Sequence, residues 1–574
     1  MVAFIAANLV TALGPTIDSI FVGSYYQVDD VAAIGLTHFL LVGYRTLAAS
    51  IITRGAHVIV SRKIGAGNKE DANKYFSLSI MMCFFVSVAI ALFSIIFSNN
   101  IAALLGARGS MAYLMKPTSD YLIGYCLGLP FFTLANILTP FLQMDGDYDL
   151  VTAHSVVLTV VDIAADYYVV KVMHGGLLMI GLATSLSHFA AFLVTLSHFF
   201  LRKSIFRFTL KGVKLSQGVE ILETGAPTGV VKLSNTVSGI LINNMLAVYV
   251  ASDAIAALSA GNQIMKFCFS LWLGAASTLL SFSSMFFGEE DKKALESVQK
   301  IAIRKGFQCT LPAAAAIFVF AGPLTGLFLR NGDAATLAMG AESIRFFALS
   351  MPFNVLIYSS QFYFISAGRR PFANLYSFIL EFAIPVPLTF LMLNNIGYRG
   401  AWVTKPVANL LAVLVAVVYF QLQRGNTFRE KMLLVPENFG AEPGRELIFR
   451  GDSMTDVMGI SGIAIPFALE NGANEKQARM LSLAVEELAG NIVEHGFADG
   501  KPHHVDLRML AKDDGLILRL RDDCKRFDPV EKYRTDLQFS KDPEHGVAIR
   551  MMIKLARDIK YTGQYGMNNL IIRI

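Results

Sequence analysis

Three carboxylates lie within long apolar stretches of the chain. Asp18 falls in the stretch at 1–25, and Asp162 and Asp166 fall in the stretch at 149–172. Asp162 and Asp166 are four residues apart, which places them on one face of a helix. A charge inside a membrane-spanning helix costs about 2.5–3.5 kcal/mol or more, so such residues are functional candidates. We predict that all three can take up and release a proton or another cation; the alternative is a permanent ion pair with a neighbouring base.

Basic and further acidic residues also fall in apolar stretches. These are Arg45, Lys232, Lys266, Glu381 and Lys405. The cations suit an anionic or zwitterionic substrate or a lipid headgroup, and Arg45 is our candidate for substrate or ion contact. The alternative is that they pair with the acids or extend to the membrane surface. The histidines at 38, 57, 154, 188 and 198 belong to no motif and are predicted to be packed or interfacial.

A second constellation lies near the C-terminus, in the predicted helix at 475–497. Its apolar stripe faces a core at helical spacing and consists of Leu481, Ala484, Leu488 and Ile492. Glu487, Asn491 and His495 recur at i, i+4 and i+8 on another face. A solvated face would explain three polar residues. An Asn between Glu and His, on a helix that ends at Gly496, is a more specific pattern.

The composition predicts an integral membrane protein. The chain has 574 residues, of which 54% are hydrophobic and 16% charged, whereas soluble domains contain about 25% charged residues. Runs without Asp, Glu, Lys or Arg have the length of about 20 residues that a bilayer core requires. They are 75–107, 121–144, 172–201, 307–329 and 346–368.

Twelve membrane spans are predicted before a change of composition near residue 424. They are 1–25, 31–60, 75–98, 118–141, 149–172, 176–201, 224–250, 254–287, 302–328, 343–367, 372–393 and 400–423. "VDDVAAIGL" (28–36) is echoed by "ASDAIAALS" (251–259), and "GAGNKEDA" (65–72) by "GEEDKKA" (288–294). This predicts an all-α bundle of two homologous six-helix halves, at 1–201 and 202–423, an arrangement that transporters use.

Loop charges predict the orientation. The loops after even-numbered spans are rich in Lys and Arg, whereas the first loop after an odd-numbered span carries Asp29 and Asp30. By the positive-inside rule, both ends of the bundle face the cytoplasm. We therefore expect a multi-pass protein of the cell membrane with cytoplasmic N- and C-termini.

The bundle resembles the multidrug and toxic compound extrusion (MATE) family. The similarity rests on "IDSIFVG" (17–23), "SRKIGAGNKEDA" (61–72), "LQMDGDYDL" (142–150) and "DIAADYYV" (162–169), and it extends to about residue 423. It implies an antiporter in which inward flow of H⁺ or Na⁺ drives export of a small molecule. Asp18 and Asp166 match acids that bind the coupling cation in this family. One branch also has an acid in span 7, where this chain has Lys232 and Asn235.

The remaining residues are predicted to form a linker at 424–444 and a cytoplasmic α+β domain at 445–574. Strands are predicted at 446–449, 503–510, 515–521, 558–562 and 569–574, and helices at 454–472, 475–497 and 546–557. "AVEELAGNIVEHGF" resembles the N-box of the GHKL ATP-binding fold, in its anti-sigma-factor kinase branch. The resemblance implies that Asn491 holds Mg²⁺ against the phosphates of ATP and that Glu487 is the catalytic base or positions water.

Two further nucleotide motifs are only partly retained. "RDDCKRFDP" (521–529) resembles D-x-G-x-x-F-D-P, in which the first Asp, here Asp522, reads the adenine amino group. Cys524 replaces the Gly of that motif. "HGVAIRMM" (545–552) resembles the phosphate loop G-L-G-L; it keeps Gly546 and has Ala548 in place of the second Gly. Mg-ATP is therefore the predicted cofactor, with residual serine kinase activity left open.

We thus predict a secondary antiporter that exports a drug-like molecule or metabolite and carries a nucleotide-binding regulatory domain. ATP is not expected to power transport, because the chain contains no GxxxxGK[ST] P-loop. Predicted partners are the lipid bilayer, a small-molecule substrate and a cytoplasmic regulatory protein that docks on 445–574, with no nucleic acid. Two alternatives stay open: a membrane-tethered serine kinase of the anti-sigma type, and a flippase for lipids or glycan precursors.

Overall fold

Long helices form the described chain up to residue 421. The computed structural model describes residues 28–105, 107–201, 204–249, 252–328, 334–436, 439–440, 442, 444–499, 501–513, 515–528 and 556–574. The predicted span at 1–25, with Asp18, and Gly546 in the predicted helix at 546–557 lie outside these residues. Each of the other predicted spans coincides with a helix or a pair of consecutive helices, which confirms the helical bundle but not the count of twelve.

The helices of the bundle are named here in chain order. They are α1 (Val28–Arg45), α2 (Ile51–Gly65), α3 (Lys69–Ile96), α4 (Ser98–Leu104), α5 (Met115–Met144), α6 (Tyr148–Tyr168), α7 (Leu177–Leu201), α8 (Leu215–Tyr249), α9 (Ser252–Gly288), α10 (Lys292–Val319), α11 (Ala321–Phe328), α12 (Ala334–Ser366), α13 (Arg370–Phe378), α14 (Pro385–Ile396) and α15 (Arg399–Gln421). Several begin at a side-chain cap, such as Asn68 for α3, Asp147 for α6 and Asp291 for α10. Each cap accepts a backbone N–H that the helix itself cannot satisfy.

Single π-helical turns interrupt the helices beside the residues with candidate chemistry. Thr46–Ser50 joins α1 to α2, Val169–Met173 extends α6, and Ile379–Ala383 joins α13 to the segment before α14. A π turn is an i→i+5 insertion, and such turns occur frequently at functional sites. The first follows Arg45 directly, the second follows Asp166 by three residues, and the third contains Glu381.

The bundle presents apolar side chains to its surroundings, as a membrane protein does. On α3, for example, Phe85, Leu92, Phe93 and Ile96 are all exposed. Among the described residues, six helices are long and apolar enough to cross a membrane. They are Lys69–Ile96, Ala112–Met144, Leu177–Leu201, Cys268–Gly288, Arg370–Ile396 and Arg399–Gln421.

The C-terminal domain is a five-stranded antiparallel sheet with helices on one face. Its elements are β1 (Glu446–Gly451), α17 (Met454–Glu470), α18 (Glu475–Ala484), β2 (Val505–Lys512), β3 (Gly515–Asp522), β4 (Asp558–Gln564) and β5 (Met567–Arg573), and the short helix α16 (Phe428–Met432) precedes them. The strand order is β1-β2-β3-β5-β4. Capping boxes at Ser453 and Asn474 start the two long helices. The predicted α+β domain is confirmed.

Alternation along the strands gives the sheet two different faces. Leu507, Met509, Leu518 and Leu520 point to the core beneath α17 and α18 and are almost fully buried. The intervening Arg508, Arg519 and Arg521 lie on the opposite face and are buried too. That basic face rests on the loop between α9 and α10, so the domain packs directly on the bundle.

The segment predicted as a polar linker is partly packed against the bundle. Leu433 and Leu434 are buried, and their carbonyl oxygens accept from the Tyr363 hydroxyl at 2.7 Å and the Arg369 guanidinium at 3.3 Å. The Phe439 ring lies 5.7 Å from the Phe287 ring. These contacts hold the C-terminal domain close to the helix ends.

Candidate functional site

Arg45 lies among aromatic side chains inside the first half, where α1 meets α5. The Nε of Arg45 donates to the Tyr125 hydroxyl. Its guanidinium carbon lies 5.2 Å from the centre of the Tyr125 ring and 4.9 Å from that of the Phe132 ring. Stacking on aromatic faces is favourable for a guanidinium, especially where water is excluded. The predicted site residue Arg45 is therefore held by aromatic side chains.

Asp162, one of the two predicted acids among the described residues, belongs to the same cluster as Arg45. Asp162 is buried, and Ser187 donates to its Oδ1 at 2.9 Å. The adjacent His188 packs edge-on against Tyr125, with ring centres 5.8 Å apart. Asp162 and Arg45 are thus brought to one buried polar region by α6, α7, α1 and α5. The prediction that His188 is packed is confirmed. Its place beside Arg45 has no signature in the sequence.

The second acid, Asp166, lies one turn further along α6. It is 2% exposed, which makes it more deeply buried than Asp162 at 8%. The i, i+4 placement predicted for these two acids holds because both precede the π turn at Val169–Met173. Two buried carboxylates on one helix face form an ion-binding candidate within the first half.

The second half also contains a buried carboxylate beside a π turn. Glu381 accepts from the Nδ2 of Asn235 at 2.8 Å and from the Tyr358 hydroxyl at 3.2 Å. Ser238 donates to the Glu381 backbone carbonyl. Span 7 has no acid of its own, but Glu381 in the Ile379–Ala383 turn places a carboxylate beside Asn235 of that span. The sequence placed Glu381 in span 11 but gave no means of pairing it with span 7.

Lys232, which sequence analysis considered for substrate contact, lies between the halves. Its Nζ donates to Ser50 Oγ at 2.7 Å, and Ser50 closes the π turn that follows Arg45. Arg54, on the same side of the bundle, lies 4.5 Å from the Phe362 ring centre across the halves. Cationic groups therefore line the contact between the halves within the membrane-spanning region.

The motif "LQMDGDYDL" has a structural explanation. Asp145 and Asp147 both bind the His198 ring, at 2.8 Å and 2.7 Å. Asp147 also caps α6, and Asp145 accepts from the backbone of Ile205 at 2.9 Å. These acids fix the turn between α5 and α6 against α7.

The candidate nucleotide helix is less regular than predicted. It extends as α18 into two π turns, Val485–Ala489 and Ile492–Gly496, with Glu487 in the first and Asn491 between them. Both side chains are half-buried, and His495 is exposed. The extent of the helix is as predicted. The prediction of a regular α-helix is wrong, because two π turns shift Glu487, Asn491 and His495 away from the i, i+4, i+8 alignment.

Asp522 lies at the end of β3 and is buried. It accepts from Asn568 Nδ2 at 2.7 Å and from the Cys524 backbone N–H at 3.0 Å. Burial raises its pKa, although these two hydrogen bonds oppose the shift. Tyr561 in turn donates to Asn568 Oδ1 at 2.6 Å. The carboxyl that would read adenine is therefore bonded to the β4–β5 hairpin, one residue pair away from its turn.

Cys524 brings the two nucleotide motifs together. A Cβ on Gly496, at the end of the Asn491 helix, would lie 2.9 Å from Cys524 Sγ. The Cys524 side chain thus packs against a glycine, where a side chain on residue 496 would crowd it. Asn491 and Glu487 are half-buried and carry side-chain oxygen atoms, the ligand type that Mg²⁺ prefers, so these residue types are compatible with Mg-ATP.

Comparisons with known proteins agree with this architecture. The family model described as MatE matches residues 3–168 and 227–391, and the histidine kinase-like ATPase domain model matches residues 461–574. The probable multidrug resistance protein YoeA of Bacillus subtilis is 23% identical over 437 residues, which cover 73% of this chain and 92% of that protein. The multidrug export protein MepA of Staphylococcus saprophyticus is 23% identical over 436 residues, covering 76% of this chain and 95% of that protein.

Solved structures share the fold of the bundle. A multidrug resistance MATE family transporter in an outward-facing conformation has a TM-score of 0.69 at 19% identity, over 75% of this chain and 94% of that one. A point mutant of the Vibrio cholerae MATE transporter VcmN has a TM-score of 0.69 at 17% identity, over 76% of this chain and 96% of that one.

Proposed function

Because the chain belongs to the MATE family of multidrug efflux transporters, we propose that it exports a small molecule by antiport against H⁺ or Na⁺. The observation that carries this proposal is the buried cluster of the first half. Asp162 and Asp166 share one face of α6, and Asp162 lies in the same buried region as the Arg45–Tyr125 contact. A carboxylate in such a site exchanges its ion only when the cavity opens to water, so the exchange follows the rocking of the halves.

The cationic groups bear on the class of substrate. Arg45 and Lys232 lie close to the contact between the halves, where this fold holds its substrate. Anionic or zwitterionic molecules complement these two groups better than organic cations do. A lipid headgroup has the same chemistry, so lipid transport is the alternative within this family.

The orientation is proposed from the charges beside the C-terminal domain. The domain contacts the α5–α6 turn and the turns that join α2 to α3 and α9 to α10, and the helix ends beside the last two turns carry Arg62, Lys63, Lys69, Lys292 and Lys293. By the positive-inside rule these basic helix ends are cytoplasmic. We therefore place the domain and both termini in the cytoplasm, with the bundle in the cell membrane.

The C-terminal domain is proposed to bind Mg-ATP and to regulate transport. Asn491 and Glu487 would hold the metal side of the nucleotide, and Asp522 the adenine amino group; Gly546 is the proposed phosphate-loop residue. When bound, the nucleotide would supply a transferable phosphoryl group. Glu487 is then placed to accept a proton from an attacking hydroxyl, which keeps a tethered serine kinase as a second candidate. A regulatory protein would have to bind the outer helical face, since the sheet face is covered.

The test is ion-coupled flux in proteoliposomes, with H⁺ or Na⁺ gradients and a panel of cationic and anionic dyes. We expect Asp162→Asn and Asp166→Asn to abolish coupled flux in folded protein. Asp149→Asn, an exposed acid in the first turn of α6, is the matched control and should transport normally. Coupled flux at the wild-type level in both buried variants would refute the site.

A further inference from the structure

The two halves of the bundle are closed at the end that carries the C-terminal domain. A Cβ on Gly55 would lie 1.9 Å from the Ile221 carbonyl oxygen, and one on Gly288 would lie 2.1 Å from that of Arg62. Each pair joins the first half to the second, so backbone meets backbone with no room for a side chain. Opening a passage to this side requires these helices to separate.

The turn between β4 and β5 inserts into this closed end. Gln564 pairs with Met567, which leaves Tyr565 and Gly566 as a two-residue turn. The Tyr565 N–H donates to the Met144 carbonyl at 2.6 Å, and its hydroxyl bonds Ser61 at 2.8 Å; both partners belong to the first half. Its ring lies 4.8 Å from that of Phe282 in the second half. One side chain of the C-terminal domain therefore contacts both halves.

Tyr565 is an unfavourable residue for the turn that it occupies. Its φ is 54° and that of Gly566 is 76°, the conformation of the hairpin turn that favours Asn-Gly. A bulky residue at positive φ is an outlier. Such strain persists where the surroundings determine it, and here the surroundings are the buried contacts with the bundle.

The basic face of the sheet holds the second half separately. Arg519 binds Asp291 at 2.6 Å and Glu289 at 3.0 Å. Arg521 also binds Glu289, and Arg508 donates to the Glu289 carbonyl at 3.1 Å. On the other side, the Arg526 guanidinium lies 3.7 Å from Asp145 and the Lys69 ammonium 3.9 Å from Asp528, both contacts to the first half. The C-terminal domain is thus fastened to both halves, through the sheet on one side and the segment after β3 on the other.

We infer that the C-terminal domain is an intramolecular latch, which holds this end of the transporter closed through the Tyr565 turn and the basic sheet face. The inference rests on the proposed function for its consequence, because a transporter that must rock between two states is slowed when one opening is blocked. Coupling is reciprocal, so whatever releases the domain favours opening, and opening expels the domain.

Tyr565→Asn tests the latch without impairing the hairpin. Asn-Gly is the preferred pair for this turn, so the variant keeps or improves the fold of the domain while it removes the side chain between the halves. Leu469→Ala, which truncates an exposed apolar side chain on α17 of the same domain, is the control. Arg519→Met releases the sheet face and leaves the turn intact.

Opening is read at Thr224→Cys, a buried position beside Gly225 in the closed seam. Labelling by a membrane-impermeant maleimide in lipid nanodiscs is compared with the same chain without the added cysteine. We expect Tyr565→Asn and Arg519→Met each to raise the labelling rate about fivefold or more, the lower range of ordinary allosteric couplings. Leu469→Ala should leave the labelling rate unchanged.

Unchanged labelling in both latch variants would overturn the inference. Equal increases in the latch variants and in Leu469→Ala would also overturn it, since a general loosening of the domain would then be the cause. The labelling result does not depend on flux. Absence of ion-coupled flux in every variant would instead count against the proposed function.

Discussion

Arg519→Met should loosen the contact between the domains far more than the loss of an ordinary ion pair. Arg519 is 5% exposed, and the side chains of its partners Glu289 and Asp291 are 1% and 2% exposed. Removing one partner of a buried ion pair costs about 3–5 kcal/mol, because the remaining charges stay away from water. Glu289 still accepts from Asn569 at 3.0 Å and Asp291 from the Ala294 N–H at 2.9 Å. We therefore take the lower end, about 3 kcal/mol, or roughly a hundredfold in the docking equilibrium.

Arg445→Met is the matched control. Arg445 lies in the same domain and binds Asp513 at 2.9 Å, but the Asp513 side chain is 96% exposed. Exposed pairs contribute about 0–1 kcal/mol, so this variant should change docking less than about fivefold.

Hydrogen exchange at the Tyr565 amide reports the docking equilibrium, because that N–H is bonded to Met144 across the domain contact. Protection should fall about a hundredfold in Arg519→Met and hardly at all in Arg445→Met. Adding Asp291→Asn to Arg519→Met should restore part of it, since a neutral amide costs less to bury than a carboxylate. Equal protection in the two arginine variants would refute the argument that burial decides the strength of this contact.

Three further predictions follow from the same geometry. Burial raises the pKa of Asp291, but the Arg519 and Arg508 guanidiniums outweigh burial and hold that pKa below its ordinary value. The Asp291 carboxylate therefore stabilises docking fully above the ordinary carboxyl pKa of ~3.9, and this contribution is lost as pH falls toward the lower pKa of the docked state. Protection of the Tyr565 amide should be constant above about pH 5 and fall below it. Gly225→Ala places a Cβ 1.9 Å from the Ile51 carbonyl and should cost about 1–3 kcal/mol in thermal unfolding, whereas Gly239→Ala in the same helix meets nothing within 4 Å and should be neutral. Asn491→Ala should remove Mg-dependent ATP binding by the full chain in calorimetry, and the exposed Lys476→Ala should not; unchanged affinity would place the nucleotide elsewhere.

The helices were predictable, whereas the π turns within them were not. Uncharged runs and loop charges locate spans because a bilayer tolerates few alternatives. A π turn adds one residue to one helical turn. In a span whose sides all face lipid or protein, the side chains stay apolar all round, so the sequence carries no mark of the added residue. Glu381 therefore could not be paired with Asn235, nor could the register of Glu487 and Asn491 be set, from spacing alone.

The domain contact escaped prediction for a different reason. Arg508, Arg519 and Arg521 alternate with apolar residues, as they would on a solvated sheet face. The sequence of the acidic loop at 289–291 indicates only an internal repeat of the bundle. Three acids in a predicted cytoplasmic loop and three arginines on one sheet face are complementary, but composition does not say that they meet. The division at 424–444 stays a prediction of domain bounds, although the structure packs part of that segment on the bundle.

The β4–β5 hairpin connects the candidate nucleotide site to the closed end of the bundle. Beside its turn, Asn568 bonds Asp522, the residue matched to adenine recognition, and in the turn itself Tyr565 bonds Ser61 within the bundle. Only three positions along the chain separate Tyr565 from Asn568. A hairpin is stiff over that distance because its ladder fixes both strands. On the proposed function, a nucleotide that changes the hydrogen bonding of Asp522 would move the tip by displacing this one hairpin, without unfolding the domain. That is the route by which the domain would influence transport without a P-loop.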